Sequence, residues 1–294
     1  MKFAVLALLY LLSSSMLSGL SFPEIGGSAS CLSAAGDGRR ARQIADAIKT
    51  HNFKSDFKFP VGEVVAFGEY AGKLIVVSDA GKYGSVSFVL DAQKGEVVDI
   101  IRHDFLGEKH LLQSPSGRFL LYKRYYPDFL KDSAKSDVLI CYDLDKNSGE
   151  NPQWRPMLKY GRSEAGKVIY PASEGDEKGA HSRTLFIDAA EWNPESGECV
   201  LGVSALDKGE KGFKLEEFLI VREVLDSSGN VELSVERAGR KNCVLVCANG
   251  ARRNFASGAV RGFYISKVKI LKDRFVVVNG GDPSEIEAVE ILKN

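Results

Sequence analysis

Residues 111–127, LLQSPSGRFLLYKRYYP, and residues 136–150, SDVLICYDLDKNSGE, decide the fold. Each holds a short run of aliphatic, aromatic and β-branched residues that ends on polar turn formers, the pattern of a strand. Between two such runs, Ser114-Pro115-Ser116-Gly117 is a turn by its chemistry. Proline presets the first turn dihedral, and glycine accepts the positive φ where the chain doubles back. The same order returns in residues 186–207, FIDAAEWNPESGECVLGVSALD, and residues 215–229, LEEFLIVREVLDSSG. There the turn is Asn193-Pro194-Glu195-Ser196-Gly197, one residue longer. Both stretches read as strand, tight turn, apolar strand, polar loop, apolar strand, turn.

Outward from these units the pattern persists. Short β-rich runs stand at 74–78, 86–90, 97–101, 119–122, 138–142 and 275–278, divided by Gly-, Asp- and Ser-rich turns. Looser echoes of the whole unit occupy 71–95 and 272–292. No long amphipathic helical stretch interrupts them, which argues against a parallel α/β sheet. The chain is therefore expected to be all-β from residue 61 to residue 294. Residues 151–182 fit the unit poorly, and 174–179 (EGDEKG) read as an exposed loop.

The two units resemble the blade repeat of the TolB-type and WD-type β-propellers, in which a Ser-Pro-Asp-Gly-like turn joins the first two strands of a blade. Neither turn here places Asp directly before the glycine. The resemblance implies a propeller-like array of antiparallel meanders, irregular or incomplete, on a scaffold used largely for protein contacts. A twisted sandwich of meanders would give the same local pattern.

The start of the chain reads as an export signal over residues 1–30. Lys2 is followed by ten unbroken apolar residues, 3–12, far short of the roughly 20 that a spanning helix needs. Pro23 ends any helix, and Gly27-Ser28-Ala29-Ser30 offers small residues for cleavage between Ala29 and Cys31. The expected location is periplasmic or secreted. A second reading makes Cys31 an acylated cysteine, with contact to the membrane only through that anchor. Bacterial lipoprotein signals usually carry Leu three residues before the cysteine, where this chain has Ser28. Residues 31–60 read as a tail and one short helix, capped by Asp37, with Ala41, Ile44, Ala45 and Ile48 on one face.

Charge excludes one class of function. The chain has 39 basic and 39 acidic residues, and the leader removes one of each, Lys2 and Glu24. A net charge of zero provides no long-range field for nucleic acid. Five cysteines in an oxidising compartment leave at least one outside a pair, and no Cys-x-x-Cys is present. Cys243 and Cys247 flank a β-like Val-Leu-Val. Four residues of strand span roughly 13 Å, beyond the ~7 Å limit for a bridge, so these two are not expected to bond to each other.

No cofactor motif and no catalytic constellation emerges. Asp143-Leu-Asp145-Lys-Asn147-Ser-Gly149 superficially matches a calcium loop, but the glycine and the twelfth-position Glu of that pattern are missing. It reads as a solvated turn. His103, Asp104, Glu108 and His110 lie within eight residues without a recognised ligand spacing. His51 and His181 stand apart, and His181 and Ser182, adjacent in sequence, point to opposite faces of a strand. The segment 119–129, FLLYKRYYPDF, joins aromatic area to positive charge. Lys123, Arg124, Tyr125, Tyr126 and Phe129 are the candidate partner-binding residues, since Arg and Tyr are favoured at binding hot spots. These observations lead to an exported, non-enzymatic binding protein that engages a protein partner through its loops, one form being a periplasmic immunity or inhibitor protein. The alternative is a secreted hydrolase or sugar-processing enzyme, with acid–base work done by Asp176, Glu177, Asp188 and Glu191.

Overall fold

The computed structural model describes residues 33–34, 63–79, 85–91, 97–126, 136–146, 166–170, 183–193, 195–207, 209–255, 260–281 and 285–293. The export signal, Cys31, the helix expected near 37–48, His51, Phe129, Asp176, Glu177 and His181 lie outside them.

Within these residues the chain is all-β, with antiparallel sheets and a 3₁₀ turn at Arg240–Asn242. No described helix is long and apolar enough to cross a membrane. The first sheet runs in chain order through β1 (Ser33–Ala34), β2 (Glu63–Tyr70), β3 (Lys73–Asp79), β4 (Ser85–Asp91) and β5 (Val97–His103). A second takes β6 (Leu112–Gln113), β7 (Phe119–Tyr126), β8 (Ser136–Asp143) and β9 (Lys167–Tyr170), again in chain order. The third does the same with β10 (Arg183–Ala189), β11 (Glu198–Asp207), β12 (Lys214–Leu225) and β13 (Val231–Gly239).

The fourth sheet breaks that rule. Its strands are β14 (Cys243–Cys247), β15 (Arg252–Asn254), β16 (Ile265–Ile270), β17 (Arg274–Asn279) and β18 (Ile286–Leu292), in the order β15-β14-β18-β17-β16. The last strand in sequence therefore fills the middle. No sheet of the described residues joins a strand from the start of the chain to one from its end, the pairing that would close a ring of blades.

The turns named in the sequence sit where their chemistry requires. Gly117 has φ 82° and Gly197 has φ 66°, in the left-handed region that favours glycine. Asn193 closes the second turn with its side chain, its Oδ1 accepting the N–H of Glu195 and of Ser196 at 2.9 Å each. Its carbonyl accepts the N–H of Gly197, also at 2.9 Å.

The described residues fall into two compact units. One draws on Met1–His103, Ser116–Leu120 and Tyr142–Gly166, the other on Asp104–Pro115, Leu121–Cys141 and Lys167–Asn294. In the second unit, the third and fourth sheets share one core, in which Val200, Phe218, Ile220, Leu245, Phe275 and Val289 meet. Phe218 and Phe263 pack edge to face there, with ring centroids 6.1 Å apart, worth about 0.5–1.5 kcal/mol beyond the area they bury. β14 alternates cleanly, burying Cys243, Leu245 and Cys247 and leaving Val244 and Val246 half-buried. None of Cys141, Cys199, Cys243 and Cys247 is bridged to another described residue. β11 is buried along its first eight residues on both faces, which explains its unbroken apolar run.

Candidate functional site

A cleft of about 300 Å³ opens in the second unit, at the lower end of the range for ligand pockets. Three segments far apart in sequence make most of it, and Leu112 of β6, with Glu198 and Val200 of β11, completes the lining. The first is the turn Leu106–Lys109, closed by Leu106 N–H to the Lys109 carbonyl at 2.7 Å and by the reciprocal bond at 3.2 Å. Gly107, at φ 63°, lets this turn press against the end of β10. A Cβ at that position would stand 2.3 Å from the Ala189 carbonyl oxygen, so only glycine fits. Glu108 and Lys109 are thereby set on the cleft wall.

The second segment is the extended stretch Ala189–Asn193 that leaves β10. Glu191 reaches Lys109 across the mouth, Oε1 to Nζ at 3.0 Å, with both side chains largely exposed. Trp192 is 5% exposed, and its indole N–H meets no acceptor among the described residues. The third segment is β16. Ile265, Ser266, Lys267, Val268 and Ile270, five of its six residues, line the cleft. Asp188 ties the second segment to the third, its Oδ2 accepting the Ile265 N–H at 2.7 Å. Burial raises the Asp188 carboxyl above its ordinary value, against the opposing pull of the Ile265 and Ala189 amides. Glu198, on the cleft floor, is nearly buried and pairs with Lys293 at 3.1 Å.

Of the four carboxylates considered for acid–base work, two are visible here. Asp188 is committed to backbone amides and Glu191 to a lysine.

The basic pair of the 119–129 segment requires a correction. Lys123 and Arg124 are each 7% exposed, so neither presents an outer binding surface. Lys123 is held inside the second unit, donating to Asp137 Oδ2 at 3.0 Å and to the Ile187 carbonyl at 2.9 Å. Its ammonium also lies 4.3 Å from the centroid of the Phe186 ring. Asp137 Oδ2 accepts the Ile187 N–H as well, at 2.8 Å. Burial pushes the Asp137 carboxyl up, and Lys123 and that amide pull it back only in part. The strand expected at 119–122 runs on to Tyr126, and Lys123 can lie in the protein interior because its charge is paired with Asp137. The side chains of Tyr125 and Tyr126 lie outside the described ones.

Two other constellations resolve into structure. Asp143 is no solvated loop residue: the Arg118 guanidinium grips it with two bonds, at 2.8 and 2.7 Å, and reaches Asp145 at 3.2 Å. A guanidinium thus pairs with the first two carboxylates of the calcium-like pattern. Among the described residues no group of three or more His, Cys, Asp or Glu is placed to hold a metal ion. His103 Nε2 lies 2.7 Å from Ser87 Oγ, a Ser–His contact that sequence reading missed because the two are 16 residues apart. Both are essentially inaccessible, at 0% and 1% exposure, so no substrate reaches them and the contact is a core hydrogen bond. His110 instead stacks on the half-exposed Phe105, with ring centroids 4.0 Å apart.

Comparison with known proteins adds little. No protein-family model matches the chain, and no curated protein matches it. One solved structure, from a structural and mechanistic analysis of two prolyl endopeptidases, is similar over 79% of this chain at 14% identity. The TM-score is 0.26, and the match spans 43% of that longer chain.

Proposed function

We propose that this is an exported binding protein that engages a protein partner and carries out no chemistry of its own. The observation that carries the reading is the state of the cleft carboxylates. An acid–base pair needs groups aimed at a substrate and tuned by their surroundings. Here Glu191 and Glu198 are matched by lysines, and Asp188 is occupied in fixing β16. What is left at the cleft is the single carboxylate of Glu108, an apolar wall, a buried indole donor and a strand edge, features suited to recognition. The export signal read in residues 1–30 puts the partner outside the cytoplasm, and an immunity or inhibitor protein is one form this would take.

A propeller-like arrangement is part of the same proposal. Its support is the succession of three antiparallel meanders in chain order, with a Pro-containing turn ending on a left-handed glycine between β6 and β7 and again between β10 and β11.

The test is capture from a periplasmic extract with the purified mature chain, identification by mass spectrometry, and calorimetry with the purified partner. Saturable binding at fixed stoichiometry is expected. Hydrolytic turnover of peptide or glycoside substrates that disappears in Asp188→Asn or Glu191→Gln would replace this reading with the enzyme.

A further inference from the structure

We infer that the outer edge of β16, together with the cleft beside it, is a strand-addition site for an extended peptide of alternating apolar and acidic residues. The inference rests on the binding function proposed above and names the partner's chemistry. Among the described residues β16 ends its sheet, pairing with β17 on one side only. The hairpin register tells which backbone groups are left over. Leu271 N–H bonds to the Arg274 carbonyl at 2.8 Å, closing the turn. Alternation then makes Lys269–Val276 and Lys267–Val278 the hydrogen-bonded pairs and Ile270–Phe275 and Val268–Val277 the others. The N–H and C=O of Val268 and Ile270 therefore point away from β17, into the edge that the cleft runs along.

The two faces of β16 set the side-chain preference. Val268 and Ile270 are half-buried against the core and line the cleft. Lys267 and Lys269 alternate with them and are exposed, Lys267 also bordering the cleft and Lys269 lying clear of it. Their cross-strand neighbours on β17 are Val278 and Val276, so no carboxylate stands opposite them within the sheet. A strand added at the free edge would bring acidic residues beside these lysines and apolar residues to the cleft. The same lysines oppose pairing of this edge with a second copy of itself, because like charges would meet. Trp192 supplies the second, independent sign: a nearly buried donor in the cleft wall for which the described residues offer no acceptor. A carbonyl of the incoming peptide would supply one.

The probe is an acetylated, amidated hexapeptide alternating Glu and Val, compared with its Lys/Val counterpart and titrated into the full chain. The expected result is saturable binding of the Glu peptide, with slowed hydrogen exchange at the Val268 and Ile270 amides. The Trp192 indole N–H resonance should move downfield, and it is told from that of Trp154 by a Trp154→Phe variant. Val268→Pro, which removes an outward donor and no ladder bond, should weaken binding about tenfold or more. Lys267→Glu with Lys269→Glu should reverse the preference to the Lys peptide, a readout that a misfolded variant could not give. No binding of the Glu peptide, equal binding of both peptides, or unchanged exchange at the two amides would overturn the inference. Self-association abolished by Val268→Pro would assign the edge to a second copy and overturn it too. A captured partner that binds Val268→Pro as it binds the parent chain would sink this inference alone and leave the proposed function standing.

Discussion

Replacing Lys123 by Met removes a charge and keeps most of the side-chain volume. The Asp137 carboxylate is left with the Ile187 N–H at 2.8 Å and no counter-ion, in a position where its side chain is 7% exposed. Breaking a buried pair from one side costs about 3–5 kcal/mol. Proton uptake sets a ceiling on that cost. With an unfolded-state value near 3.9 and about 1.4 kcal/mol per pH unit, neutralising the carboxyl at pH 7 costs about 4 kcal/mol. The sign follows from linkage. A carboxyl raised in the folded state contributes stability that is complete below its unfolded value and lost as pH rises through the folded one. The deficit of Lys123→Met should therefore shrink as pH falls from 7 to 5, by at most about 1.4 kcal/mol per unit. Urea unfolding at pH 5, 6 and 7 reads it directly. Adding Asp137→Asn, whose amide oxygen still accepts the Ile187 N–H, should recover most of the loss. A deficit under about 1 kcal/mol at pH 7, a flat pH profile, or a double variant no better than the single would refute the account of this pair as a buried charge pair.

Three further outcomes follow from the same structure. Gly107→Ala puts a methyl against the Ala189 carbonyl and strains a φ of 63°, so a loss of about 1–3 kcal/mol in thermal or urea unfolding is expected. Arg118→Ala should cost about 2 kcal/mol at pH 7, as a charged fork is lost. Burial pushes the Asp143 carboxyl up, but the Arg118 fork and the Asp145 and Lys146 amides together hold it below the usual range. That stabilisation is present above the unfolded value and lost as pH falls through the folded one, so the gap between variant and parent should close in acid. Cys199 and Cys243 are buried, and burial pushes both thiols up, Cys243 to about 12. Both should resist iodoacetamide at pH 8 in the native protein and react once it is unfolded, as mass mapping would show.

The strands were legible in sequence because their signal is local. Residues 74–78, 86–90 and 138–142 fall inside β3, β4 and β8, and the Pro–Gly turns set where β7 and β11 begin. β16 was not picked out, although ISKVKI alternates as an edge strand should, because lysines at alternate positions lower its apolar content. The cleft was hidden for a different reason. It depends on Asp188 meeting Ile265, 77 residues on, and on Gly107 closing against Ala189. Glu191 and Asp188 were singled out for their charge, but their occupation by Lys109 and by a backbone amide is a tertiary fact. Lys123 and Arg124 misled because a basic residue on a strand reads as surface. Nothing nearby in sequence announces Asp137, 14 positions away, as the partner that lets Lys123 go inside.

The sheet order β15-β14-β18-β17-β16 also bears on how the protein comes to be folded. β14 bonds to β15 on one side and waits on its other side for β18, whose register with it pairs Cys243 with Ile291 and Leu245 with Val289. As the chain emerges from its N-terminal end, some forty residues must follow before that strand arrives, and such long-range pairing is slow. During that interval Cys243-Val-Leu-Val-Cys247, an apolar run without charge, presents an unfilled edge of the kind that other chains can zip onto. Yield on refolding should therefore fall with protein concentration, and a short peptide copying 286–292, given early, should raise it.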